Sequence, residues 1–193
     1  MTPEPLRVAL RVIEALEDLS IPYHLGGSFA SSLHGVPRQT QDLDLVVDLQ
    51  PTKVALFVSE LQGDFYVEPE MIRSALRRRG SFNLVHLETG FKVDVFVKGR
   101  EPFDSQEFER HHPKHLTQDP PRQVMVKSAE DTILRKLEWY QMGGQVSDRQ
   151  WNDILGVLRV KREELDEDYL RRWARELRVE ELLEQAFAAA SPD

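Results

Sequence analysis

Gln41-Asp42-Leu43-Asp44-Leu45-Val46-Val47-Asp48 is the stretch on which the fold turns. Leu43, Leu45 and Val47 alternate with Asp42, Asp44, Val46 and Asp48. A period of two predicts a β-strand with one apolar and one acidic face. Asp42 and Asp44, two apart, point to the same side. Two carboxylates that close repel each other, and burial penalises their charged forms further. A divalent cation removes the conflict, and hard oxygen ligands suit Mg2+.

Two neighbouring segments sharpen this reading. Downstream, Ser81 to Leu87 and Phe91 to Val97 read as strands joined by Glu88-Thr89-Gly90, a hairpin. In the second, Val93, Val95 and Val97 face one side and Lys92, Asp94 and Phe96 the other. Aspartate is a poor strand former, so Asp94 asks for a reason. If this strand lies beside the Asp-Leu-Asp strand, three carboxylates meet, the inventory for two-metal phosphoryl or nucleotidyl transfer. The bland alternative is an exposed acidic sheet face. Upstream, the short apolar strand Tyr23 to Leu25 runs into Gly26-Gly27-Ser28, with a helix expected from Phe29 to Leu33. Glycines admit close approach of a ligand, and a helix start offers free N–H groups to phosphate. The same residues also suit a tight strand-to-helix turn capped by Ser28.

The rest of the chain is organised around this centre. Helices are expected over Pro5 to Leu19, from Pro51 through Leu61, and over Glu68 to Arg79. Glu101 to Pro121 is polar and proline-flanked, partly helical around Phe108, and Gln123 to Val126 is a short strand. From Ser128, which can cap Ala129–Tyr140 with Asp131 as a partial capping box, everything reads as helix. This switch predicts a mixed core over 1–127 and a helical region over 128–193.

Bulk properties narrow the functional classes. The chain has 193 residues, 40% hydrophobic and 30% charged, with no cysteine. Disulfides and thiolate metal sites are excluded, and a cytoplasmic setting is expected. No apolar run approaches the roughly 20 residues of a membrane span, and the start has no signal-peptide core. A net charge of −8 argues against non-specific DNA or RNA binding, though a local basic patch could dock one nucleic acid.

The order Gly27-Ser28, helix, Asp42-Leu43-Asp44, later Asp94 resembles the nucleotidyltransferase superfamily related to DNA polymerase beta, over about Tyr23 to Val97. The resemblance implies an α/β (α+β) fold: a small mixed sheet with flanking helices, plus the helical region. It implies two Mg2+ ions held by Asp42, Asp44 and Asp94. It also implies transfer of a nucleoside monophosphate from an NTP to an acceptor hydroxyl, with Asp94 helping to activate that hydroxyl. The acceptor is open between RNA (a tRNA end), a protein side chain and a small molecule. The C-terminal half resembles the AbiEii-like, toxin-type branch, through Lys136-Leu137 and Asp153-Ile154. That resemblance implies Lys136 on the NTP phosphates, Asp153 orienting Lys136 or the acceptor, and a cognate antitoxin as partner. The branch often has serine where this chain has Thr40.

Gly26, Gly27, Ser28, Arg38, Lys136 and Asp153 form the expected nucleotide-binding set. Arg38, four residues before Asp42, could grip a triphosphate bidentately or pair with a neighbouring carboxylate. The rival function is a catalytically inactive nucleotide- or partner-binding module of the same fold. Arg73, Arg77, Arg78 and Arg79 are a basic helix end, favourable in itself, or a docking patch for an acidic acceptor. His111, His112 and His115 read as a solvated loop because Pro113 breaks any shared helical face. Trp139, Tyr140 and Trp151 read as packing between helices. His24 could line a pocket and His34 could cap a helix end.

Overall fold

The computed structural model describes residues 4–38, 42–118 and 121–191, which fall into two compact units. One comprises Met1–Gly26 with Thr40–Val126, the other Gly27–Gln39 with Lys127–Asp193. Thr40 lies outside the described residues.

The first unit holds the sheet. Its strands are β1 (Tyr23–Leu25), β2 (Asp42–Val47), β3 (Phe65–Tyr66), β4 (Ser81–His86), β5 (Lys92–Val97), β6 (His112–Gln118) and β7 (Pro121–Val126), in the order β3-β4-β5-β2-β1-β7-β6. The sheet is mixed: β2 runs parallel to β5, β1 parallel to β7, and the other neighbours are antiparallel. The expected hairpin is present, with Ser81 opposite Phe96 and Val85 opposite Lys92.

Helices α1 (Glu4–Asp18), α3 (Val54–Leu61) and α4 (Pro69–Arg78) supply apolar faces to this unit. Val12, Ile13 and Leu16 of α1, Phe57 and Leu61 of α3, and Ile72 of α4 are buried. So are Leu43, Leu45 and Val47 of β2 and Val93, Val95 and Val97 of β5, the apolar face the alternation demands. Phe57 meets Phe82 of β4 edge-to-face at 6.4 Å, which seats α3 on that face. Pro51 opens a 3-10 turn, Pro51–Lys53, leading into α3; its missing N–H costs nothing at a helix start.

The structure corrects the expectation of a loop at His112 to Gln118. That segment is β6, paired antiparallel with β7 and slipped between His115 and Thr117. It is the edge strand, so Pro113 forfeits no ladder bond on its open side, and polar residues are tolerated on both faces. Helix α5 (Pro102–Glu109) precedes it, with Asp104 accepting from the Glu101 N–H at 3.0 Å.

The second unit is helical: α2 (Gly27–His34), α6 (Ala129–Met142), α7 (Asp148–Lys161), α8 (Glu167–Glu176) and α9 (Glu180–Ala190). Ser128, Ser147 and Asp166 cap α6, α7 and α8 through their side chains. Asp131, fully buried, accepts from Ser128 Oγ at 2.6 Å and from the Tyr169 hydroxyl at 2.6 Å, tying α6 to α8. Helix α2 approaches α7 closely at Gly35, where a Cβ would stand 2.7 Å from the Val157 backbone nitrogen. Its end is fixed by His34, whose Nε2 lies 2.7 Å from the Lys127 carbonyl oxygen. Tyr140 and Trp151 pack ring to ring at 5.2 Å, but Trp139 is 37% exposed on the helix surface. Among the described residues no helix is long and apolar enough to cross a membrane.

Candidate active site

The sequence left open whether the strands carrying Asp44 and Asp94 are neighbours. They are: β2 and β5 pair in parallel, and Asp44 stands in register with Asp94. Register partners present side chains to one face, roughly 4.8 Å apart at the backbone. The apolar partners on either side, Leu43 with Val93 and Leu45 with Val95, drive this alignment by burying the other face. Asp42 heads β2 in register with Lys92; its side chain lies outside the described ones.

Three further residues meet this carboxylate pair. Asn83 of β4 is opposite Asp94, so a neutral amide flanks the carboxylate on its other side. Lys92 places Nζ 3.0 Å from Asp94 Oδ1; the Asp94 side chain is 15% exposed. The Gly26 N–H donates to the Asp44 carbonyl at 2.9 Å, which binds the glycine loop to the acidic strand. Strand alternation already put Lys92 on the face of Asp94, but its ion pair was not legible; Asn83 needed the hairpin register. Among the described residues, no group of three or more His, Cys, Asp or Glu side chains could hold a metal ion.

The expected nucleotide-binding residues other than Gly26 fall in the helical unit. Gly27 has φ +52°, a left-handed conformation that glycine adopts at no steric cost and that turns the chain into α2. Ser28 Oγ accepts from Arg38 Nη2 at 2.6 Å. Arg38 also forks onto Asp153 of α7, Nε to Oδ1 at 2.7 Å and Nη2 to Oδ2 at 2.7 Å. Lys136 of α6 donates to Asp153 Oδ2 at 2.9 Å. One carboxylate is thus held between two cations, with Asp153 and Lys136 side chains 8% and 7% exposed. Burial alone would push the Asp153 carboxyl up; the hydrogen bonds and charges of Arg38 and Lys136 outweigh it and hold the group below its ordinary value. Of the two readings open for Arg38, pairing with a carboxylate is what the structure contains.

His24 lies fully buried on β1, opposite Val46. Its Nε2 is 3.8 Å from the buried Glu107 Oε1, and its ring packs on Phe108 at 5.3 Å and on His111 at 6.2 Å. His111 is therefore partly buried packing rather than solvated loop.

The mixed sheet, with two carboxylates matched across its central parallel pair, has the nucleotidyltransferase fold. Among solved structures, the chain is similar to the antigenic nucleotidyltransferase-like protein from Paracoccidioides brasiliensis: 16% identity, 98% of this chain and 94% of that one, TM-score 0.53. It is also similar to ANT(2'')-Ia in complex with adenylyl-2''-tobramycin, at 12% identity over 91% of this chain and 98% of that one, TM-score 0.53. The solution structure of the same antibiotic-resistance factor gives 16% identity over 96% and 98%, TM-score 0.50. No protein-family model matches the chain, and no curated protein matches its sequence.

Proposed function

We propose that the chain is a Mg2+-dependent nucleotidyltransferase that moves a nucleoside monophosphate from an NTP to an acceptor hydroxyl. The observation that carries this reading is the register pairing of Asp44 with Asp94 on adjacent parallel strands, with Asp42 two residues before Asp44. The donor set fits the ion: carboxylate oxygens are the hard ligands Mg2+ takes, and among its expected ligands there is no soft one to favour another metal. Asp42, Asp44 and Asp94 would hold it. When bound, it polarises phosphoryl oxygens as a Lewis acid and neutralises their charge. Asp94 would also accept the proton of the acceptor hydroxyl. Arg38 and Lys136 would contact the phosphates, with Asp153 holding both cations in fixed geometry.

The acceptor is a small molecule, a tRNA end or a protein side chain. ANT(2'')-Ia, whose structure carries an adenylylated antibiotic, illustrates the first; the toxin-type resemblance adds a cognate antitoxin as partner but selects no acceptor. The deciding experiment is label transfer from each of the four α-labelled NTPs into bacterial RNA, protein and a panel of hydroxylated small molecules. Asp94→Asn protein serves as control. Product made by the native chain and not by the variant establishes the reaction and names the acceptor class. A second reading, a non-catalytic nucleotide-binding module, draws support from Lys92, which already supplies a positive charge to Asp94. Mg2+–NTP binding by calorimetry, with no product from any NTP, would select it.

A further inference from the structure

At the opposite end of β2 and β5 from Asp44 and Asp94, the sheet unit carries a groove of about 280 Å3, lined by Arg73, Arg77, Arg79, Arg100, Leu49 and Leu76 among others. Leu49 is five residues beyond Asp44, about 16 Å at strand rise, so the groove is separate from the carboxylate pair. Four arginines line it in a chain whose net charge is −8, and no carboxylate is among the described residues lining it. Arg73 pairs with Glu70 in an exposed i,i+3 contact, which is weak. Arg77 and Arg100 make no ion pair among the described residues. Arg73 and Arg77 lie on one face of α4, about 6 Å apart along its axis.

Arg79 is held in place beside the groove. It ends α4 with φ +52°, the left-handed position that helices normally give to glycine. Its Nη1 donates to the Lys98 carbonyl oxygen at 3.1 Å, which fixes the guanidinium beside the exit of β5.

We propose that this groove binds the phosphate backbone of a single-stranded RNA segment. The cations lining it are all arginine, whose planar fork matches phosphate oxygens bidentately and whose face accepts a base. Four arginines along one groove are more than a single phosphate needs, which suits a longer polyanion. Leu49 and Leu76 give an apolar floor for ribose and base edges, and no aromatic ring is among the described residues lining the groove, so the recognition is of backbone rather than sequence.

The test is fluorescence anisotropy with a labelled mixed-sequence RNA of about 12 nucleotides, within the site sizes of single-strand binders. It compares native protein with the Arg77→Gln/Arg100→Gln variant. Both positions are exposed, so the fold should survive, and the thermal midpoint checks this. Each phosphate contact contributes about 0.7 to the slope of log affinity against log salt, so the double variant should flatten it by about 1.4 and bind about tenfold or more weakly. Asp94→Asn should bind the RNA as the native chain does, which separates this inference from the transfer reaction. Equal affinity and slope in the double variant, or no binding by the native chain at low salt, would overturn it. So would displacement by an equal concentration of AMP, which would make this a small-phosphate site. A polyglutamate peptide that bound as tightly through the same arginines would assign the groove to an acidic protein instead.

Discussion

Arg38 and Asp153, 115 residues apart, meet through two parallel hydrogen bonds of 2.7 Å each. The carboxylate's Oδ2 also accepts from Lys136 at 2.9 Å. Removing the negative charge would leave a nearly buried lysine and a partly buried arginine without their counter-ion. Asp153→Asn should therefore destabilise the fold by about 2–4 kcal/mol, within the range for breaking a buried pair and discounted for the exposure of Arg38. The native Asp153 carboxyl is held below its ordinary value, so its stabilisation is fully present above the unfolded value of about 3.9 and is lost as pH falls towards the folded one. Urea titrations of both proteins between pH 6 and pH 3 should show the gap closing at the acid end. A gap independent of pH would mean that the carboxylate charge is not what holds the cations.

The acidic pair makes a prediction about metal that does not require turnover. Mg2+ bound by Asp42, Asp44 and Asp94 would stabilise the native state by about 2.7 kcal/mol at a hundredfold excess over its dissociation constant. Scanning calorimetry should show the midpoint rising with Mg2+ in the native protein and not in Asp44→Asn. Without metal, the two midpoints should differ by little, because the substitution is isosteric and Asp44 is not deeply buried. In a transfer assay the same variant should lose activity by on the order of a thousandfold, the scale of removing one preorganised electrostatic contact.

The Asp42–Val47 strand and the Ser81–Val97 hairpin were legible because each buries one face and exposes the other. Asp44 and Asp94 were legible as candidates for the same reason. Their adjacency was not, since β2 and β5 pair in parallel across an intervening 3-10 turn, two α-helices and the strands β3 and β4. Strand β6 escaped detection because an edge strand has one partner and needs no apolar face, so His112 to Gln118 carries no alternation. Helix α2 follows directly on a sheet strand, yet it belongs to the helical unit. What puts it there is a packing contact between Gly35 and α7, which no local pattern announces.

That contact is itself testable. A Cβ at Gly35 would lie 2.7 Å from the Val157 nitrogen and 2.8 Å from the Gly156 carbonyl carbon, both backbone atoms that cannot swing aside. Gly35→Ala should cost about 1–3 kcal/mol, the usual price of overpacking. By pushing α2 from α7, it should also loosen the Arg38–Asp153 fork. Gly63→Ala, where nothing lies within 4 Å of the new Cβ, is the matched control and should be close to neutral. Equal midpoints for the two variants would show that α2 and α7 are not packed as closely as this.

Tyr23, at the start of β1, gives the opposite pH signature to Asp153. Its hydroxyl donates to Glu17 Oε1 at 2.7 Å, and Glu17 also pairs with Arg122. Burial pushes the phenol up first, and the hydrogen bond to and charge of Glu17 push it further. The folded phenol holds its proton more tightly than the unfolded one, so its contribution is present below the unfolded value of about 10 and is lost as pH rises through the folded one. At neutral pH, Tyr23→Phe removes the hydrogen bond to Glu17 and the one from the Met125 backbone while Arg122 still serves the Glu17 carboxylate, so the loss should be on the order of 1 kcal/mol. Above pH 10 the native protein should lose stability with a slope approaching 1.36 kcal/mol per pH unit from this group, a slope the phenylalanine variant lacks. The two unfolding curves should therefore converge between pH 10 and 11. Parallel curves across that range would mean that Tyr23 ionises as freely in the folded chain as in the unfolded one, and would overturn this account of its burial beside Glu17.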